Sequence, residues 1–226
     1  MILDREMRQR GLEVSLKNAN ASIIQNERGF TMEFKDDTYN KSNHGTIRDA
    51  ESNLSKLLRR WKNRADVFTV LEGSNILDLA SGSEYYRDFF LQGWPPFFAR
   101  LCAVNGANVI AIDICNQTEL DQQLFACVKL DLIDAVMNST LGNNPFLEGK
   151  NFDIIYCSNF VGGNPVPYLE RDLVGVGIKQ EGFERKLFSQ CSNLLSEGGV
   201  MTLDLRDNQN WQKYHKKIKG QIIDLP

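Results

Sequence analysis

From Asn75 onward the chain alternates short, predominantly apolar runs with longer stretches of helical periodicity, and no other feature narrows its fold as much. The runs at 75–79, 108–112, 128–130, 152–157 and 200–205 read as strands; 97–104 and 183–195 read as helices between them. A strand with one face in water alternates apolar and polar residues, whereas these runs are mostly apolar without regular alternation and need cover on both faces. Strands separated by helices in this way predict an α/β fold built on a doubly wound, mostly parallel sheet. Residues 221–225 add one further short candidate strand.

The part before this pattern differs in character. Residues 1–45 are polar, with one extended-looking piece at 30–34. From Thr46, the residues Ile47, Ala50, Leu54, Leu57, Leu58, Trp61, Ala65 and Phe68 recur at three- and four-residue steps, which predicts an amphipathic helix capped by Thr46 with Asp49 three positions on. The expected organisation is an N-terminal helical extension, an arm plus helix over 1–70 that resembles a cap, and a single ligand-binding domain over 71–226. With 42% apolar residues in 226, one core can be buried in full.

Composition excludes several function classes. The 26 basic and 29 acidic residues leave a formal charge of -3, so no global positive field draws the chain to nucleic acid. Two local basic clusters exist: Arg48, Lys56, Arg59, Arg60, Lys62 and Arg64 near the helix, and Lys213, His215, Lys216, Lys217 and Lys219 near the end. Such runs are usually solvated faces, so a nucleic-acid partner ranks below a small molecule. The five cysteines, at 102, 115, 127, 157 and 191, form no C-x-x-C pair and read as reduced core residues. With only His44 and His215 as imidazole ligands, no metal site is expected. The charged start MILDREMRQRG is unlike a secretory leader, and no apolar run is long enough to cross a bilayer, so the expected location is the cytoplasm.

In open α/β sheets ligands bind beyond the carboxyl ends of the strands. The residues there are Asp78-Leu79-Ala80-Ser81-Gly82-Ser83-Glu84 after the first strand, Asp113 after the second, Asp131 after the third and Asn159 after the fourth. Ala80, Ser81 and Gly82 are small, and Gly82 allows a dihedral closed to other residues. Taken singly, Asp113 also reads as a turn cap and Asp131 as a helix cap.

The segment Ile76-Leu77-Asp78-Leu79-Ala80-Ser81-Gly82 resembles the glycine loop of class I, Rossmann-like, S-adenosylmethionine-dependent methyltransferases, and the resemblance runs from about Asn75 to Leu205. It implies S-adenosyl-L-methionine as cofactor. Asp113 would take the two ribose hydroxyls, Asp131 the adenine amino group, Ile114 and Leu132 the apolar sides of that ring, and Asp78 with the loop backbone the methionine portion. The turn Leu194-Leu195-Ser196-Glu197-Gly198-Gly199-Val200 resembles the one before the fifth strand, with Glu197 where proline is common. Glu84 replaces the third loop glycine. A nicotinamide fingerprint, G-x-G-x-x-G, is lacking two of its three glycines over Ala80–Tyr85. A non-catalytic binding or scaffold subunit of the same fold is the rival reading, and an RNA or protein methyltransferase a further one.

The acceptor side carries less signal. Tyr85, Tyr86, Phe89, Phe90 and Trp94 crowd an insertion over 84–96, which reads equally as a wall of the acceptor pocket or as a flap packed on the N-terminal helix. Asn159, Tyr168, Asp204 and His44 are candidates for orienting the acceptor or moving a proton. The stretch Asn164-Pro165-Val166-Pro167-Tyr168 is an imperfect echo of the Asn-Pro-Pro-Tyr motif of amino-group methyltransferases, and a plain two-proline loop is the simpler reading. No oligomeric state is implied.

Overall fold

A computed structural model describes residues 21–26, 29–34, 41–63, 68–82, 96–157, 177, 180–203 and 214–225. Strands β1 (Ala21–Asn26) and β2 (Gly29–Phe34) form an antiparallel hairpin, of which the sequence signalled only the second half. At its turn Gly29, with φ 116°, lies so close to Asn105 and Phe68 that a Cβ there would stand 2.6 Å from Asn105 Oδ1.

Helix α1 (Lys41–Lys62) buries Ala50, Leu54, Leu57 and Leu58, the apolar stripe read from its periodicity. It starts earlier than expected: Thr46 and Asp49 lie inside it, so Thr46 is no N-cap. The apolar pattern marks only the packed face, and the polar turn Lys41–Gly45 carries none of it. The helix also stops sooner. Asn63 takes a left-handed φ of 57°, a conformation asparagine tolerates and helices use to terminate. Phe68 sits in a separate 3-10 turn, Phe68–Leu71, and Ala65 lies outside the described residues.

The remaining strands and α-helices described are β3 (Asn75–Leu79), α2 (Phe97–Val104), β4 (Asn108–Asp113), α3 (Glu119–Leu124), β5 (Ala126–Lys129), α4 (Leu132–Met137), β6 (Phe152–Cys157), α5 (Gln180–Leu194), β7 (Leu195–Leu203), β8 (Tyr214–Ile218) and β9 (Gln221–Leu225). The seven-stranded sheet has the order β5-β4-β3-β6-β7-β8-β9. β5 through β7 are parallel, and β8 and β9 join as antiparallel neighbours. The order reverses between β4 and β6 on either side of β3, the topology of a doubly wound, Rossmann-like fold with its crevice at the carboxyl end of β3.

Alternation within the strands splits the core in two. Ile76, Val109, Ala111, Ile154, Tyr156 and Val200 face α1 and α2, while Leu77, Ile110, Ile112, Ile155 and Met201 face α4 and α5. Helix α1 thus shares one core with the sheet. Asn53, at mid-helix, donates to Tyr156 Oη at 2.8 Å near the carboxyl end of β6. Farther along, Lys216, paired with Val200 near the middle of β7, donates to the carbonyls of Arg60 and Trp61. The amino end of α1, with His44, therefore points toward the carboxyl edge of the sheet.

The basic cluster at the chain end is largely structural. Successive residues of β8 face opposite sides, so Lys216 plugs the carboxyl end of α1 while Lys217 donates to Ser192 and Leu195 at the end of α5. Cations at helix carboxyl ends also complement the helix dipole. Lys219 (φ 52°) and Gly220 (φ 76°) make the two-residue turn to β9, and the Glu197 carboxylate accepts both their N–H groups. Gly199 must be glycine, because a Cβ would meet the Ser196 and Phe152 carbonyl oxygens at 2.9 and 3.0 Å.

Candidate functional site

The crevice is built from the two connections that leave β3 and β4. Ile76 faces α2, and Asp78, two residues on, faces the same way, so its carboxylate is carried into that interface, 1% exposed. There it accepts the Ala99 N–H in the first turn of α2, a helix whose N-cap, Pro96, provides no side-chain bond. Its second oxygen, Oδ2, has no partner among the described residues. Burial, and then the charge of Asp113, push the Asp78 pKa well above the ordinary 3.8, against the pull of the Ala99 N–H. Cys102, buried beside it, is raised by burial and then by Asp78, so it is a protonated core thiol.

After β3 the chain bends through two left-handed residues, Ala80 (φ 53°) and Gly82 (φ 87°). Ser81 N–H still bonds the Ile112 carbonyl at 3.0 Å, tying the bend to β4. An alanine in this region is strained by roughly 1–2 kcal/mol. Such strain collects where backbone is shaped for a ligand. Gly82 is then held from both sides. Its N–H donates to Asp113 Oδ2 at 3.0 Å, and its carbonyl accepts from Gln117 Nε2 at 2.6 Å.

Asp113 ends β4 and also accepts the Cys115 N–H on Oδ1 at 2.9 Å. Burial raises its pKa, while the N–H groups of Cys115, Gly82 and Ile114 pull it back. A carboxylate has about four acceptor positions, and with three N–H groups directed at it Asp113 keeps about one for a ligand. Next to it Ile114 is 56% exposed, an apolar side chain held open at the mouth of the crevice. Asp131 follows β5 and caps α4, its Oδ1 accepting the Asp134 N–H at 3.1 Å; Leu132 beside it is buried.

The sequence-derived set thus converges in part. Asp78, Ala80, Ser81, Gly82, Asp113 and Ile114 come together at the switch point, and Asp131 and Leu132 stand one strand farther out. Asn159, Tyr168, Asp204 and the five aromatics of the 84–96 insertion lie outside the described residues, as does the side chain of His44. Sequence reasoning missed Gln117, which is 5% exposed, and the Arg100–Asp121 pair behind it. Arg100 Nε and Nη2 reach Asp121 at 2.7 and 3.0 Å, and Thr118 both caps α3 and donates to Asp121. The signal available was polar residues at 117, 118 and 121 just beyond the second strand. Among the described residues no group of three or more His, Cys, Asp or Glu is placed to hold a metal, and no helix is long and apolar enough to cross a membrane.

No family model and no curated protein matches the chain. Solved methyltransferases are among the structures it resembles, each at a TM-score below 0.5. The MycE methyltransferase of the mycinamycin biosynthetic pathway, solved with magnesium, SAH and mycinamycin VI, aligns at 12% identity and a TM-score of 0.42. That alignment covers 67% of this chain but only 31% of MycE. DesVI of Streptomyces venezuelae aligns at 11% identity over 82% of this chain and 78% of its own, with a TM-score of 0.40. The sugar N-methyltransferase KedS8 of a Streptoalloteichus species aligns at 11% identity over 82% and 73%, with a TM-score of 0.41. The fold assignment itself rests on the strand order of this chain.

Proposed function

We propose that the crevice at the ends of β3 to β5 binds S-adenosyl-L-methionine and that the chain is a methyltransferase acting on a small molecule. One observation carries the reading: two carboxylates, Asp78 and Asp113, flank a left-handed glycine whose N–H is already taken by one of them. A dinucleotide's pyrophosphate needs free N–H groups at the loop. Among the described residues the Ser81 and Gly82 N–H groups are already taken, by the Ile112 carbonyl and by Asp113. An orphaned, buried Asp78 oxygen suits a cationic group, the remaining acceptor position of Asp113 suits a ribose hydroxyl, and exposed Ile114 suits an apolar ring. A nucleoside sulfonium that carries an ammonium and no phosphate fits all three.

When bound, that cofactor supplies an electrophilic methyl group. The protein's own part is placement. Asp78, Asp113, Ile114 and the loop fix the donor, so that an acceptor held in line about 3 Å away gains the advantage of proximity. No general base is assigned, since the candidates Asn159, Tyr168 and Asp204 lie outside the described residues. The structural use of Lys216 and Lys217 supports a small-molecule acceptor over nucleic acid, because two cations of the C-terminal cluster are spent on helix ends.

Calorimetry with S-adenosylmethionine and its demethylated product tests the reading. Asp113→Ala should weaken binding by about 1.5–3 kcal/mol, the loss expected for hydrogen bonds to a charged group. Unchanged affinity removes Asp113 from the site. Tight binding without methyl transfer to any of a panel of small acceptors would favour the non-catalytic subunit.

A further inference from the structure

The site proposed above contains a residue with no assigned part in it. We infer that Gln117 is a positioning residue of this site: its side-chain amide holds the Gly82 carbonyl while Asp113 holds the Gly82 N–H, so one glutamine sets both the loop and the carboxylate that receives the ligand's hydroxyls.

The orientation of the amide is fixed by its surroundings. Nε2 stands 2.6 Å from the Gly82 oxygen and 3.3 Å from Ser81 Oγ; the flipped amide would press two oxygens together. The residue's own backbone is anchored. Gln122 Nε2 donates to the Gln117 carbonyl at 3.0 Å, and the next residue, Thr118, caps α3 and bonds Asp121, which pairs with Arg100 on α2. A rigid scaffold of two helices thus stands behind one side-chain amide. Gln117 Oε1, buried, has no partner among the described residues. For support alone, an apolar side chain of this length would fill the space without that desolvation penalty.

Through Gly82 the clamp reaches Asp113. With its carbonyl released, Gly82 is free to rotate its N–H away from Asp113 Oδ2, and the carboxylate loses one of the bonds that orient it.

The test compares wild type with Gln117→Met, which keeps the volume and removes the donor. In the ligand-free protein, the Gly82 amide proton should exchange with solvent about tenfold faster or more, the signature of local opening. Affinity is then measured for S-adenosylhomocysteine and for its 2′,3′-dideoxy analogue. In wild type, loss of the hydroxyls should weaken binding; in Gln117→Met that preference should shrink about fivefold, because Asp113 is no longer held to face them. A side chain that only packs would lower both affinities equally, and that result overturns the inference, as does unchanged Gly82 exchange. If neither compound binds wild type, the cofactor reading fails, and exchange in the ligand-free protein decides alone whether Gln117 clamps the loop. Should Gln117→Met not fold, Gln117→Glu serves: it regains the donor only when protonated. Protection of Gly82, relative to the free-peptide rate, must then rise as pH falls, and protection independent of pH refutes the clamp.

Discussion

Replacing Asp78 by asparagine should make the protein more stable and less able to bind its ligand. The carboxylate is 1% exposed, one oxygen has no partner among the described residues, and Asp113 repels it. A buried polar atom left unpaired costs roughly 1–3 kcal/mol, and more if charged. The amide keeps the shape, removes the charge and removes the repulsion. Against this, an anion at the amino end of α2 is lost, worth about 0.3–1 kcal/mol. The balance favours Asp78→Asn by roughly 1 kcal/mol at neutral pH, or about 2–4 °C in Tm for a chain of this size. The pH dependence follows in sign. Because the folded-state pKa lies above 3.8, the folded chain binds more protons than the unfolded one just above that value. Stability is fully present below it and is lost as pH rises toward the raised value. Asp78→Asn should flatten part of this fall, leaving the share due to Asp113, whose pKa is also raised. Thermal melts across pH, with and without S-adenosylhomocysteine, provide the assay. A variant that melts lower than wild type at neutral pH, yet is stabilised by the ligand as much as wild type, would refute the argument that Asp78 is held for a ligand.

Two further predictions concern the scaffold. Arg100→Met should cost about 3–5 kcal/mol by leaving Asp121 buried without its charge partner, and the double variant with Asp121→Leu should recover most of the loss, as chemical denaturation would show. Lys217→Met strips the Ser192 and Leu195 carbonyls of their cation and should cost about 1–2 kcal/mol, with faster amide exchange in β8 and β9 than in β3.

The strands β3, β6 and β9 and the helix α2 were legible to the residue, because each is a compact, mainly apolar run set off by polar or turn-forming neighbours. Strand β8 was not. Its sequence, Tyr-His-Lys-Lys-Ile, reads as a solvated basic run until the two lysines are seen to plug the carboxyl ends of two helices, contacts made across 155 and 22 positions. Helices α3 and α4, at six residues each, are too short to show a period. In the site, Asp78, Gly82 and Asp113 were visible because a strand end followed by a carboxylate or glycine is itself a chemical pattern. Gln117 and Arg100 were not, since a partner 35 or 21 positions away is chosen by packing rather than by local sequence. For Asp131 the structure shows the capping role, with Oδ1 on the Asp134 N–H, and its contact with adenine stays part of the proposal.

On the proposed function, two carboxylates around Gly82 form a site for a phosphate-free, cationic nucleoside. Isothermal titration of the wild-type chain with S-adenosylmethionine, and with NADH as comparison, measures this directly. The expected result is one site per chain for S-adenosylmethionine, with a Kd well below about 1 mM, equivalent to about −4.1 kcal/mol, and no measurable heat with NADH. Binding of NADH in preference, or no binding of S-adenosylmethionine at millimolar concentration, would contradict it.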